Sequence, residues 1–184
     1  TIVCYGESTV LHANVNSSDC SVYLANSDAF APVGGIGTTV SLADDAFSNA
    51  LPIGFNFNFY CNDYTDFYIA SNGLIMFPGN PGSGCCTGQS IPNNSDPNNL
   101  IAFAWEDLDP GAPGGGTIEY FTKGTAPNRT LIVNFIGVPH WPGPSPNLDV
   151  TSQVVLYETT NVIEIHTTNM TTDGGLHTMG IENM

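Results

Sequence analysis

The chain has 184 residues, enough to bury a substantial core in one domain, and its 41% hydrophobic content opposes the disorder that a net charge of −15 would otherwise suggest. Lys123 and Arg129 are the only Lys and Arg residues, against 17 acidic residues, so nothing is present to neutralise nucleic-acid phosphates or anionic lipid headgroups. No apolar run approaches the roughly 20 residues that span a bilayer, which predicts a water-soluble domain, and the acidity nominates Ca²⁺ as a cofactor.

The chain opens at Thr1 without an initiator Met or a signal segment, which is expected of a mature product or an excised piece. Residues 1–36 read as a short N-terminal segment, the end of a preceding immunoglobulin-like repeat, with a composition change over 29–37. Strands are predicted within it at 9–13 and 21–24. Residues 37–184 then form the main module. After a strand at 38–42, residues 52–60 give the clearest alternation: Phe55, Phe57 and Phe59 point one way and Asn56, Asn58 and Tyr60 the other. Residues 66–77 read as a hairpin turning at Ser71, Asn72 and Gly73, because Asn-Gly tolerates the positive φ of a type I′ turn. Further strands are predicted at 100–105, 117–122, 130–137 and 177–182, with a second hairpin joining 154–158 to 162–166.

Helical periodicity is not sustained anywhere, and about ten short strands with Gly-, Pro- and Asn-rich connections predict an all-β antiparallel sandwich of jelly-roll or immunoglobulin-like type. The long connections, 78–99, 106–116 and 138–148, are expected to be functional or mobile. Cys4, Cys20, Cys61, Cys85 and Cys86 lack zinc-knuckle spacing and read as disulfide-forming. A bridge between Cys4 and Cys20 is expected, with Cys61 reaching either Cys85 or Cys86 and one thiol left unassigned.

Glu106, Asp107 and Asp109 leave a buried-looking strand for a Gly-rich loop, the pattern of hard oxygen donors that a Ca²⁺ ion takes. Asp44 with Asp45, and Asp63 with Asp66, are candidates to complete the shell. Ligand contact is expected from Trp141 and His140, held between prolines, and from Trp105, since aromatic rings offer contact area at little entropic cost. His166 falls on the polar side of its strand and is predicted at the surface. There is no Gly-x-Ser-x-Gly elbow, and His12, His140, His166 and His177 lack a Ser or Cys signature beside them, so the chain is not expected to be an enzyme.

Several strings together resemble a known family: Leu51–Phe57 through Ile69 to Ser71-Asn72-Gly73, then Gly84-Cys85-Cys86-Thr87-Gly88-Gln89, and 98–102 through Trp105-Glu106-Asp107-Leu108. The tail, 153–158 through Ile163-Glu164 to Gly180-Ile181-Glu182-Asn183, belongs to the same pattern. They resemble β modules of very large surface proteins of Bacteroidota, including gliding-motility adhesins exported by the type IX pathway. Cys4-Tyr5-Gly6-Glu7-Ser8 is similar to the start of the immunoglobulin-like repeats that accompany them. The resemblance covers most of 40–183 and implies a sandwich displayed outside the cell, at its surface, whose partners are surface polysaccharide or neighbouring modules. It supplies no catalytic residues.

Overall fold

A computed structural model describes residues 9–16, 19–143 and 149–183. Twelve strands, and no helix, are found among them: β1 (Thr9–Asn16), β2 (Asp19–Asn26), β3 (Thr38–Thr39), β4 (Leu51–Phe59), β5 (Asn62–Ala70), β6 (Leu74–Met76), β7 (Leu100–Trp105), β8 (Thr117–Lys123), β9 (Thr130–Pro139), β10 (Asp149–Tyr157), β11 (Ile163–Met170) and β12 (Thr178–Glu182). They form two antiparallel sheets, one of seven strands in the order β2-β1-β11-β10-β9-β8-β3 and one of five in the order β12-β7-β6-β5-β4. The predicted all-β sandwich is the observed fold.

Period-two alternation builds the layer between the sheets. Ile53, Phe55, Phe57 and Phe59 of β4 are buried with Phe67, Ile69, Ile75, Ile101 and Phe103, and they meet Leu131, Val133, Phe135, Val154, Leu156, Ile163 and Ile165 of the larger sheet. The rings interlock, with Phe57 stacked on Phe77 and Phe103 edge-on to Phe135. Over β6, β7 and the end of β5 the smaller sheet is buried on its other face too. Ala70, Leu74, Met76, Leu100, Ala102 and Trp105 form a second apolar cluster there, with Ile91 of the 78–99 connection packed against it. This double covering explains why β7 reads as an unbroken apolar run.

Residues 9–26 extend the larger sheet through the pairing of β1 with β11, so the sheet runs without a break across the boundary expected at residue 36. Residues 27–37 lie over the outer face of that sheet. Val33 exchanges hydrogen bonds with the Gln153 side chain, donating at 2.7 Å and accepting at 3.0 Å. Gln153 also donates to Asn134, Asn134 donates to Glu119, and Glu119 accepts from the Gly37 amide. Phe30 packs edge-on to His166. His166 is therefore 3% exposed, and its expected place at the surface is corrected: alternation assigned it to the outer face, but that face is covered.

The turn at Ser71-Asn72-Gly73 differs from the predicted two-residue type. Ala70 pairs with Leu74, leaving a three-residue loop in which Gly73 alone takes a positive φ, +74°. A Cβ on Gly73 would stand 2.1 Å from the Ala104 carbonyl oxygen, so this position requires glycine twice over.

The cysteine pairing is also corrected. Cys20 bonds to Cys61, tying β2 to the turn after β4, and Cys85 bonds to its neighbour Cys86. Cys4 lies outside the described residues. The expected Cys4–Cys20 bridge joined two points close in sequence, whereas the sandwich brings β2 against β4, where Tyr23 packs on Phe59 and Tyr60. Among the described residues, no helix is long and apolar enough to cross a membrane.

Candidate functional site

One end of the sandwich gathers the loop after β3, the β5–β6 turn, the exits of β7 and β9, and the approach to β12. The Asn72 side chain organises them. Its amide nitrogen donates to Asp45 at 2.9 Å, and its carbonyl oxygen accepts from the Leu108 amide at 2.9 Å. The Ser71 hydroxyl accepts from the Ala46 amide. Beyond β7 the chain bridges to the exit of β9: Asp109 donates to the Pro139 carbonyl, Leu108 pairs with His140, and the Trp141 amide donates to the Asp107 carbonyl at 2.9 Å.

Apart from Asp45 beside the disulfide-bonded Cys85 and Cys86, two groups of potential ligand atoms result. Glu106 is 2% exposed; its Oε2 lies 2.6 Å from His140 Nε2 and its Oε1 lies 2.5 Å from His177 Nδ1. Glu106, His140 and Asp173 each offer one donor atom within 4.8 Å of the others, and so, separately, do Asp44, Asp45 and Asp107. Burial pushes the Asp107 carboxyl up to about 6, helped by the charges of Asp45, Asp44 and Asp173 and opposed by His140. Asp44 is raised for similar reasons, by burial first and then by Asp45 and Asp109.

Glu106 and Asp107, expected to share one shell with Asp109, therefore face different groups. Asp109 belongs to neither triad, though its charge acts on Asp44. Asp44 and Asp45 do converge on Asp107. Asp63 and Asp66 do not; they sit on β5, bonded to Asn58 and Thr65.

Of the residues expected to touch a ligand, Trp141 stands 54% exposed beside this end. Trp105 is corrected: it is fully buried, and its indole nitrogen donates to the Gly84 carbonyl at 2.7 Å. The physical reason is a bulge in β7, where the amides of both Phe103 and Ala104 point at the Gly73 carbonyl. The bulge turns Trp105 outward, beneath the 78–99 connection. His140 is likewise buried, at 3% exposure, which removes it from the accessible surface of its loop.

Sequence reading missed His177 and Asp173. Their one signal is placement before the last strand in a Gly-rich connection, and only the β12–β7 pairing brings them to Glu106.

Compared with known proteins, residues 22–184 match the family model described as NIDO related. No curated protein matches the chain, and no solved structure does.

Proposed function

The chain belongs to the NIDO-related family, and from that premise and the geometry of its loop end we propose that it is an extracellular adhesive or display module rather than an enzyme. Its work is to present the loop end to surface polysaccharide or to neighbouring modules. The observation that carries this reading is the convergence of distant loops on one end of the sandwich. There, acids without nearby Lys or Arg adjoin an exposed Trp141. Calcium is the cofactor that Asp44, Asp45 and Asp107 would take, since these are hard oxygen donors. The disulfide between Cys20 and Cys61 is compatible with an oxidising, extracellular setting. The resemblance to modules of Bacteroidota surface adhesins supports the same setting.

A second reading, a carbohydrate-binding accessory domain of a secreted enzyme, is favoured by Trp141 itself, because a ring held by proline can stack on a sugar. Both readings are tested by exposing the purified chain to a glycan array and to abiotic surfaces, with Ca²⁺ and with chelator. The expected outcome is Ca²⁺-dependent retention that Trp141→Ala weakens roughly tenfold or more, the scale of losing an aromatic anchor. A folded chain that neither binds glycans, adheres nor self-associates would remove the adhesive reading. Glycan binding untouched by Trp141→Ala would remove that residue from the account.

A further inference from the structure

Glu106 places a carboxyl at 2% exposure, where the charged form is strongly disfavoured unless a partner compensates it. Fixed cations do not reach it. Lys123 is bound to the Gly34 carbonyl, and Arg129 is engaged by Glu158. The surrounding ionisable groups are mostly acids, Asp107, Asp173, Asp44 and Asp45.

His177 stands beside this carboxyl without a hydrogen bond to it. Its Nδ1 lies 2.5 Å from Glu106 Oε1, yet Glu106 Oε1 and His177 Nε2 are both buried without a hydrogen-bond partner among the described residues. A carboxylate oxygen on a residue 2% exposed, without a hydrogen-bond partner among the described residues, is an orphan that a bound cation would satisfy.

The other oxygen of Glu106 lies 2.6 Å from His140 Nε2, and one donor atom each of Glu106, His140 and Asp173 lie mutually within 4.8 Å. The donors come from three separate segments: the exit of β7, the exit of β9 and the approach to β12. We infer that Glu106, His140 and Asp173 hold a divalent metal ion of the zinc class, distinct from the all-oxygen group of Asp44, Asp45 and Asp107. One imidazole with two carboxylates is a donor set suited to Zn²⁺, whereas Ca²⁺ takes oxygen. The ion would compensate the buried carboxylate and tie the three segments together. It also steadies Trp141, whose amide is bonded to the carbonyl of Asp107, the neighbour of Glu106.

The test uses the purified chain stripped with chelator, then titrated calorimetrically with ZnCl₂ in a buffer already containing CaCl₂, with CoCl₂ as an absorbing probe. Uptake of one equivalent of Zn²⁺ that Ca²⁺ does not compete away, with a ligand-field spectrum for Co²⁺, is the expected result. Asp173→Asn, at an exposed position that leaves the fold intact by near-UV circular dichroism, should weaken uptake roughly tenfold or more. Glu106→Gln and His140→Gln should abolish it, and Asp45→Asn should leave it unchanged. Failure of the folded chain to take up Zn²⁺, or uptake indifferent to Asp173→Asn, overturns the inference. A chain that takes up Zn²⁺ but never adheres would sink the adhesive reading and leave this site standing; adhesion without Zn²⁺ uptake would do the reverse.

Discussion

Arg129 and Glu158 show how much a single side-chain pair can join. The guanidinium donates to the two Glu158 oxygens at 2.8 and 2.5 Å, reaches the Gly54 carbonyl with its remaining terminal nitrogen, and lies 5.7 Å from the centre of the Phe55 ring. The β8–β9 connection, the end of β10 and strand β4 of the opposite sheet thus meet at one residue. The Arg129 side chain holds the Glu158 carboxyl well below its ordinary value of 4.5, at about 2. A depressed carboxyl contributes stability above its unfolded value and loses that contribution as pH falls through its folded value. Glu158→Gln should therefore lower the denaturation midpoint at pH 7, and the gap to the parent should close between about pH 4.5 and pH 2. Urea titrations at several pH values check this. A gap that is constant with pH would assign the loss to packing and not to charge.

At the scale of elements, the disulfide between Cys20 and Cys61 fastens the edge strand β2 to the opposite sheet, closing a loop of sequence separation 41. Chain-entropy arguments put the stabilisation from cross-linking such a loop at about 4 kcal/mol. The pair Cys85–Cys86 spans a separation of 1 and restrains almost nothing in the unfolded chain. Reductant should accordingly lower the stability of the parent by up to about 4 kcal/mol, yet leave a Cys20→Ser/Cys61→Ser variant nearly unmoved. A variant that still responds strongly would place the stabilising bridge elsewhere.

The strands around this bridge were legible because alternation is a local signal: Phe55, Phe57 and Phe59 announce one face of β4 whatever lies opposite. Alternation does not say what covers the other face, so it places His166 at the surface although Phe30 packs over it. Nor does it survive a bulge, and the extra residue in β7 sent Trp105 to the side opposite the one that simple counting implies. The acids of the loop end were legible as individuals. Their division into two groups was not, because neighbouring residues Glu106 and Asp107 point into different surroundings set by segments more than 30 residues away.

For the whole molecule the governing quantity is a net charge of −15 held on a folded surface of 8507 Å². Self-repulsion of this kind opposes the compact state and is longest in range at low ionic strength, where the screening length is roughly 30 Å at 0.01 M against about 8 Å at 0.15 M. Added NaCl should therefore raise the melting temperature by a few degrees, since about 1 kcal/mol corresponds to roughly 2–4 °C in a chain of this size. The excess acids leave few attractive pairs for salt to weaken. CaCl₂ at matched ionic strength separates screening from binding: screening depends on ionic strength, whereas a bound ion adds RT ln(1 + [L]/Kd) for the folded state alone. A melting temperature that climbs further with CaCl₂ than with NaCl, and loses only that increment in Asp45→Asn, would locate the binding contribution at the loop end. Equal curves for the two salts would leave the charge acting as a diffuse field, and a midpoint that falls with NaCl would mean that attraction, not repulsion, dominates the folded surface.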